Sequence, residues 1–407
     1  MAQRFDIVIA GGGMVGATLA CALRDSGLRI AVVEARRPAR DWPQDSVDLR
    51  VSAISVASER IFRALGAWPA MAARGISPFL EMQVWDAGGS GSIHFDSADL
   101  GQPRLGHIIE NRVIQAALLD QLDTCEAVEL ISPAVLASWQ RHEEGLRLQL
   151  EDGSELRTRL LVGADGGASR VRTLAGIATR GWSYEQRAVV AVVETRLSHE
   201  QTAWQRFLPT GPLAFLPLRD GRSSIVWSTT PQRAEALLAM DEAAFCKTLG
   251  EAFDLRLGRI LAAGPRAAFP LRLQHALRYV DHRLALVGDA AHMIHPLAGQ
   301  GVNLGLLDAA ALAQVIGEAV AAGRDFAAPT TLRRYERWRK GDNLLTMGVM
   351  DGFKRLFGND WPPLRLARNL GLRLADRAVP VKNRLMRHAM GLREDLPALA
   401  RGPLFGC

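Results

Sequence analysis

The stretch FDIVIAGGGMVGATLACALRDSGLRIAVVEARR, Phe5 to Arg37, decides the fold. Phe5 to Ala10 is an apolar run that reads as a buried strand, and Gly11, Gly13 and Gly16 supply a G-x-G-x-x-G turn. Val15 to Ser26 then reads as a helix that Gly27 can stop. A second apolar run, Ile30 to Val33, ends in Glu34. In a strand–turn–helix–strand unit of this kind, Gly13 lets backbone N–H groups approach a pyrophosphate at the helix N-terminus. The acid about 20 residues on can accept the hydrogen bonds of a ribose diol. A lone glycine turn would say little; flanked by both strands, the helix and the acid, it identifies an adenine dinucleotide site.

The chain has 407 residues and 48% hydrophobic content, enough to bury a sizeable core and to make two or three structural units. Met1 to Asp6 lacks the basic, apolar and small-residue succession of a signal peptide, and no uninterrupted apolar run approaches a membrane span. A cytoplasmic location is expected on these grounds. Cys21, Cys125, Cys246 and Cys407 are widely separated, with neither a C-x-x-C pair nor a Cys/His cluster at metal spacing, so reduced thiols and no metal are expected. Between Arg333 and Cys407 stand 16 Lys+Arg against 7 Asp+Glu, so this tail carries +9 and the rest of the chain −3. The tail's basic residues are interleaved with apolar ones rather than packed into a run, which argues against a nucleic-acid partner.

Along the chain two patterns alternate. Leu80 to Phe95 reads as a hairpin around a Gly/Ser turn, Asn111 to Leu122 returns to helical spacing, and Arg159 to Ala164 is an apolar strand ending at Asp165 and Gly166. Val189 to Thr230 favours strands separated by Pro, Gly and Asp turns, Met240 to Phe253 looks helical, and Leu284 to Val287 is another buried strand. Val302 to Ala322 has the spacing of a long helix. The expected organisation is an α/β dinucleotide-binding domain in three pieces (1–78, 102–180 and 276–340), a sheet-rich substrate domain in two (79–101 and 181–275), and a helical C-terminal region (341–407). The cleft between the first two is the expected reaction site.

Two further segments, RLLVGADGGASRVR (Arg159 to Arg172) and LALVGDAAHMIHPLAGQGVNLGLLDAAAL (Leu284 to Leu312), end strands with acids. Ligands of open α/β sheets gather beyond the C-terminal ends of strands, so Asp165 and Asp289 should face the same crevice as the Gly11 turn. Either could instead cap a helix or form a turn. In the loop Pro296 to Asn303, Gly299 and Gly301 permit close backbone approach. The helix that starts near Gly301 offers unpaired N–H groups, at Val302 and Asn303 among others, and a positive dipole end worth ~0.3–1 kcal/mol to a nearby anion.

These motifs, with DLRVSAIS (Asp48 to Ser55) and GHIIENRVIQAALL, make the chain closely resemble the flavin-dependent aromatic hydroxylases of the para-hydroxybenzoate hydroxylase fold, and within them the ubiquinone-biosynthesis hydroxylases. GPLAFLPL, SSIVWSTTPQRAEALLAM and REDLPALA look most like the 2-polyprenylphenol hydroxylase branch. The resemblance implies a glutathione-reductase-type Rossmann FAD domain with an inserted antiparallel-sheet substrate domain and a helical C-terminal tail. It implies FAD as cofactor, with the pyrophosphate at Gly11, Gly13 and Gly16, the adenosine ribose at Glu34, the ribitol chain at Asp289, and Arg50 and Arg112 facing the cofactor. Asp165 matches the family Asp-Gly pair associated with FAD and with handling of the nicotinamide donor. Read without the family, Arg50 and Arg112 could equally be solvated salt-bridge partners.

The implied reaction is transfer of one O₂ oxygen to a polyprenylphenol-type ring through a flavin hydroperoxide, with NAD(P)H or another electron donor. It needs no nucleophilic side chain. His292 and His295 lie beside the glycine loop and could move a proton, or simply cap the loop. Phe207, Phe215, Pro217, Trp227 and Phe269 fit an apolar substrate pocket and equally an ordinary sheet core. A polyprenyl tail would reward such a surface by ~0.8 kcal/mol per buried CH₂. Other proteins of a ubiquinone-biosynthesis complex are implied as partners. The basic tail, PPLRLARNLGLRLADRAVPVKNRLMRHAMGL, reads as two short amphipathic helices that either cover the FAD domain or touch anionic lipid at the inner membrane. Only one complete dinucleotide fingerprint is present, so the electron donor has no Rossmann unit of its own to bind.

Overall fold

The computed structural model describes residues 3–43, 46–142, 144–294, 300–357 and 361–401. Its first sheet is built on the opening stretch. Strand Gln3–Ala10 pairs in parallel with Ile30–Val33 on one side and Glu155–Gly163 on the other. Val128–Ile131 and Leu284–Leu286 extend the parallel array outward, and the antiparallel hairpin Leu136–His142/Gly145–Leu150 joins it alongside Glu155–Gly163. Ile7, Ile9, Ile30, Val32, Leu160 and Val162 are fully buried, as expected of strands covered on both faces. The register puts Ala10 opposite both Val33 and Gly163, and Gly163 opposite Leu286. Four strands from three remote parts of the chain therefore end at one edge.

Helix Met14–Leu23 leaves that edge and packs against the long helix Gln300–Ala321. The latter is the one described helix long and apolar enough to cross a membrane by length and composition, although no unbroken apolar run marks it in the sequence. It is mostly buried inside the fold, as a core helix of a soluble domain would be.

The second sheet has nine strands. Glu81–Asp86 and Ser92–Asp96 form the expected hairpin at one end, and the long strand Thr179–Thr195 lies between Ser223–Thr229 and Ala267–Ala276. A short strand at His292–Met293 adds to Ala267–Ala276, so the segment carrying the third motif contributes to both sheets. Helices Pro231–Ala239 and Glu242–Ala252 cover one face. A small sheet of Val51–Ser55, Gly106–Glu110 and Ser77–Phe79 meets the other through Val51, Ala53, Ile108, Val192, Leu216 and Leu218.

The C-terminal region departs from expectation in one respect. Helix Pro329–Phe357 runs straight through Arg339, so the tail grows out of a helix rooted in the first unit by buried Leu332 and Tyr335. Two shorter helices, Pro362–Arg377 and Val379–Ala389, follow as expected.

Candidate active site

The glycines of the opening turn are required by contacts rather than by flexibility alone. Gly11 has φ +106°, and a Cβ on it would lie 2.4 Å from the Ala164 carbonyl oxygen. One on Gly16 would lie 1.9 Å from the Gly11 oxygen, so helix and strand approach too closely for any side chain. Gly13, by contrast, would meet nothing within 4 Å: it borders open space at the N-terminus of Met14–Leu23. Glu34 is held in place, one carboxylate oxygen accepting from Gly12 N at 2.7 Å and the other from Arg36 N at 3.0 Å, with lone pairs left for a diol. Across the same edge, Gly288 turns at φ +59° and presents Asp289. Asp289 reaches solvent yet is ringed by protein, the situation of a group on the floor of a cleft. Desolvation there raises its carboxyl above the usual range, partly offset by His292 and Arg50.

Behind this turn lies a buried charge network that sequence reading missed. Asp308, fully buried on Gln300–Ala321, accepts from His292 Nε2 at 2.5 Å and Gly288 N at 3.2 Å through Oδ2. Through Oδ1 it accepts from Arg339 Nε at 2.9 Å and Asn343 Nδ2 at 3.1 Å. Burial pushes its carboxyl up, but His292, Arg339 and Asn343 outweigh that and hold it below the ordinary range. Arg339 in turn reaches Asp342 at 2.9 Å, and Asp342 accepts from Arg393 at 2.5 Å. His292 is thus a buried partner of Asp308 that braces the Gly288 turn. The signal was there to read: Asp308 is the one acid among the first eighteen residues of an otherwise apolar helix.

The remaining candidates divide. Arg50 is exposed, its guanidinium 5.6 Å over the Phe269 ring, close enough to influence Asp289. Arg112 is the salt-bridge partner that was the plainer reading: it pairs with Glu110 at 2.7 Å, reaches Ser46 O at 2.5 Å and sits over Trp42. Asp165 caps the short helix Arg170–Leu174, accepting from Arg170 N at 2.7 Å, Val171 N at 3.0 Å and the Ser169 hydroxyl. Its carboxylate therefore holds the turn. Asn303 uses its side chain to fasten the start of Gln300–Ala321 to the strand Val51–Ser55. Its Oδ1 accepts from Ser55 N and Ser58 Oγ, and its Nδ2 donates to Ala53 O at 2.8 Å. Gly301 and Val302 lie in that helix's first turn beside it; His295, Pro296 and Gly299 lie outside the described residues.

Most of the expected aromatic pocket is core. Phe215 and Trp227 point into the layer under Pro231–Ala239 and Glu242–Ala252, Phe215 stacking on Phe253 at 3.9 Å, and Pro217 shares their face by strand alternation. Phe207 stacks on Phe357 of the C-terminal region at 4.0 Å. Phe269 alone stays half-exposed, under Arg50. The reason is periodic: residues two apart share a face, and the face away from the covering helices carries Val190, Val192, Leu216, Ser224 and Val226 instead. There Ser224 Oγ is buried with no hydrogen-bond partner among the described residues. A cleft of about 290 Å³ opens beside this layer, lined by Val47, Ile108, Leu218, Arg219 and Arg222 among others.

A family model described as FAD binding domain matches residues 4–341. The chain is 42% identical to the ubiquinone hydroxylase UbiL of Rhodospirillum rubrum over 98% of its length and 92% of that protein. The chain belongs to the FAD-dependent ubiquinone-biosynthesis hydroxylases. It is equally 42% identical to the 3-demethoxyubiquinol 3-hydroxylase of Escherichia coli, over 96% of this chain and 99% of that one. Among solved structures, p-nitrophenol 4-monooxygenase PnpA of Pseudomonas putida shares the fold, with a TM-score of 0.78 at 18% identity over 96% of this chain and 99% of that one. As in these flavin-dependent hydroxylases, the cofactor is FAD, and the residues present fit it: the open face at Gly13, the pinned Glu34 and Asp289, whose carboxylate has no hydrogen-bond partner among the described residues, stand beyond the ends of strands of one parallel sheet.

When bound, FAD supplies the activation of O₂ that no side chain can. The chain's share is to hold and shield. N–H groups at Gly13 and Met14 and the dipole of Met14–Leu23 would receive the pyrophosphate, Glu34 the ribose and Asp289 the ribitol. The N-terminal turn of Gln300–Ala321, fastened by Asn303, would offer positive potential to the negative charge of a reduced flavin. The Val192, Leu216 and Ile108 layer would keep water from the ring edge of a bound flavin.

Proposed function

We propose that this hydroxylase acts on a polyprenylphenol, inserting one O₂ oxygen at the 2-polyprenylphenol step of ubiquinone biosynthesis, with NAD(P)H or a protein partner of that pathway as electron donor. The observation that carries the reading is the character of the sheet face turned toward the FAD unit: aliphatic, with a buried hydroxyl at Ser224 that has no hydrogen-bond partner among the described residues. Aliphatic surface suits a prenyl chain, at ~0.8 kcal/mol per buried CH₂. The Ser224 hydroxyl can hydrogen-bond the phenol oxygen and fix which ring carbon faces the flavin edge. No nucleophile is needed, because the electron-rich ring itself attacks.

The test is anaerobic reduction of FAD-loaded protein, then admission of O₂ with a prenylphenol and mapping of the product ring. Hydroxylation at the position adjacent to the phenol carbon supports the reading. Ser224→Ala should raise KM for the phenol about tenfold, the cost of one lost hydrogen bond, while FAD content stays unchanged. The E. coli relative's activity favours a second reading, hydroxylation at another ring position, which the same product map would reveal. Absence of any hydroxylated product, with flavin reduced and reoxidised normally, would leave only a non-catalytic FAD-containing subunit.

A further inference from the structure

Seventeen large apolar side chains stand exposed among the described residues, and ten of them fall between Leu344 and Leu385, a tenth of the chain. They recur at helical spacing. Leu345, Val349 and Phe353 are four apart on Pro329–Phe357, Leu370 and Leu374 on Pro362–Arg377, and Val381 and Leu385 on Val379–Ala389. These are not surplus core positions, because the opposite faces of the same helices are already committed. Arg368 pairs with Asp86 at 2.7 Å, Asn369 donates to Asp86 at 2.9 Å and accepts from Gly91 N, and Asp376 accepts from His94 N at 3.0 Å. Lys382 pairs with Asp99, and Met386 packs on Val56 and Leu105. The three helices are thus fixed on the hairpin Glu81–Asp86/Ser92–Asp96, each with a second, apolar face outward.

Charge follows the same division. Acids of these helices turn inward and are paired: Asp342 with Arg339 and Arg393, Asp351 with Arg355 and Tyr184, Asp376 with the hairpin backbone. Four bases turn outward: Arg373, Arg377, Arg384 and Arg387 are exposed beside Leu370, Leu374, Val381 and Leu385, and the last three of these arginines form no ion pair among the described residues, whereas Arg339, Arg368 and Lys382 are buried and paired. Apolar stripes flanked by unpaired arginines are the pattern of helices that lie in a bilayer interface. A second copy of the chain is disfavoured as occupant, since it would set the same arginines against each other. Beneath the helices, Phe207, Val84, Ile93 and Phe357 form a continuous apolar layer between this face and the second sheet.

We infer that the outer face of these three helices docks on an anionic lipid bilayer, with the leucine and valine stripes in the acyl boundary and the arginines at the headgroups. This deepens the prenylated-substrate reading by placing the enzyme at the phase that holds such a substrate, although docking itself does not require that reading to hold.

The experiment is flotation of full-length, FAD-loaded protein with vesicles of phosphatidylcholine alone or with added phosphatidylglycerol, at low and high salt, beside turnover of a short-chain, water-soluble phenol. Binding should need phosphatidylglycerol and weaken with salt. It should fall at least about tenfold in Arg377→Glu/Arg384→Glu and in Leu374→Asp/Leu385→Asp, both with wild-type FAD content and soluble-phenol turnover. Failure to bind anionic vesicles at low salt, or equal binding by both double variants, would overturn the inference. So would self-association or capture of an acidic protein partner that the Leu374→Asp change abolishes while vesicle binding is absent. Vesicle binding intact with no phenol turnover would instead count against the prenylphenol reading alone.

Discussion

Asp289 and Asp308 flank the same loop, and the fold treats them in opposite ways. Asp308 is sealed under the Gly288 turn with four donors around it and is held ionised. Asp289, one residue beyond that turn, has only distant positive groups, His292 and Arg50, against its desolvation, and its carboxyl is pushed up. A saturated buried acid is part of the scaffold, whereas an unsatisfied one at a cleft floor is waiting for a ligand. The difference separates structure from function at a site where both residues are acids in one motif.

The comparison breaks first at Asp308. Asp308→Ala leaves Arg339 buried without its main partner and His292 without an acceptor, so it should cost about 3–5 kcal/mol, read from urea denaturation of FAD-free protein. A loss under 1 kcal/mol would mean the network is dispensable. Its sign with pH follows from the lowered carboxyl: the stabilisation is present above the ordinary aspartate range and lost as pH falls through the folded value.

A second saturated acid sharpens the contrast. Glu59 is fully buried beside Arg104 at 2.9 Å, Arg63 at 2.8 Å and His107 at 3.3 Å. Burial raises its carboxyl, but His107 and Arg104 outweigh this and hold it at about 2. Its stabilisation is therefore complete above about pH 4.5 and lost between there and about 2, with a slope of up to about 1.4 kcal/mol per pH unit for the one proton. Glu59→Gln should flatten that acid limb in denaturation curves collected across the range. An unchanged limb would assign acid sensitivity elsewhere.

How much of this was legible beforehand follows from which physics writes a local signature. The opening turn was readable because close backbone approach admits only glycine at Gly11 and Gly16, and because Glu34 ends a strand whose period shows in the sequence. The strands and the hairpin at Leu80 to Phe95 declared themselves by alternation and turn residues. What alternation does not say is which face meets which neighbour. Phe215 and Trp227 looked like a pocket, yet the helices after Thr230 cover them, and the aliphatic Val192 and Leu216 stand on the opposite face, against the small sheet. Asp165 and Arg112 carried real motifs, and what those motifs did not say is that their side chains also hold a helix start and pair with Glu110. Asp308 was hidden because its four partners come from Gly288, His292, Arg339 and Asn343, brought together only by tertiary packing.

The smallest effect tests the other arm of the contrast. A folded carboxyl raised above its unfolded value penalises the fold once pH exceeds the ordinary aspartate range, and Asp289 is such a group. Asp289→Asn removes that penalty, so FAD-free protein at neutral pH should gain stability, by an amount that solvent screening at this exposed side chain keeps small. The same change should weaken FAD binding about tenfold, because the amide replaces a charged acceptor for the ribitol hydroxyls. Thermal denaturation without FAD and fluorescence titration with it read the two effects separately. Stability and affinity moving in opposite directions is the signature of an acid retained for its ligand. If both fell together, Asp289 would belong with Asp308 as scaffold, and the crevice floor would have to be sought in the first turn of Gln300–Ala321.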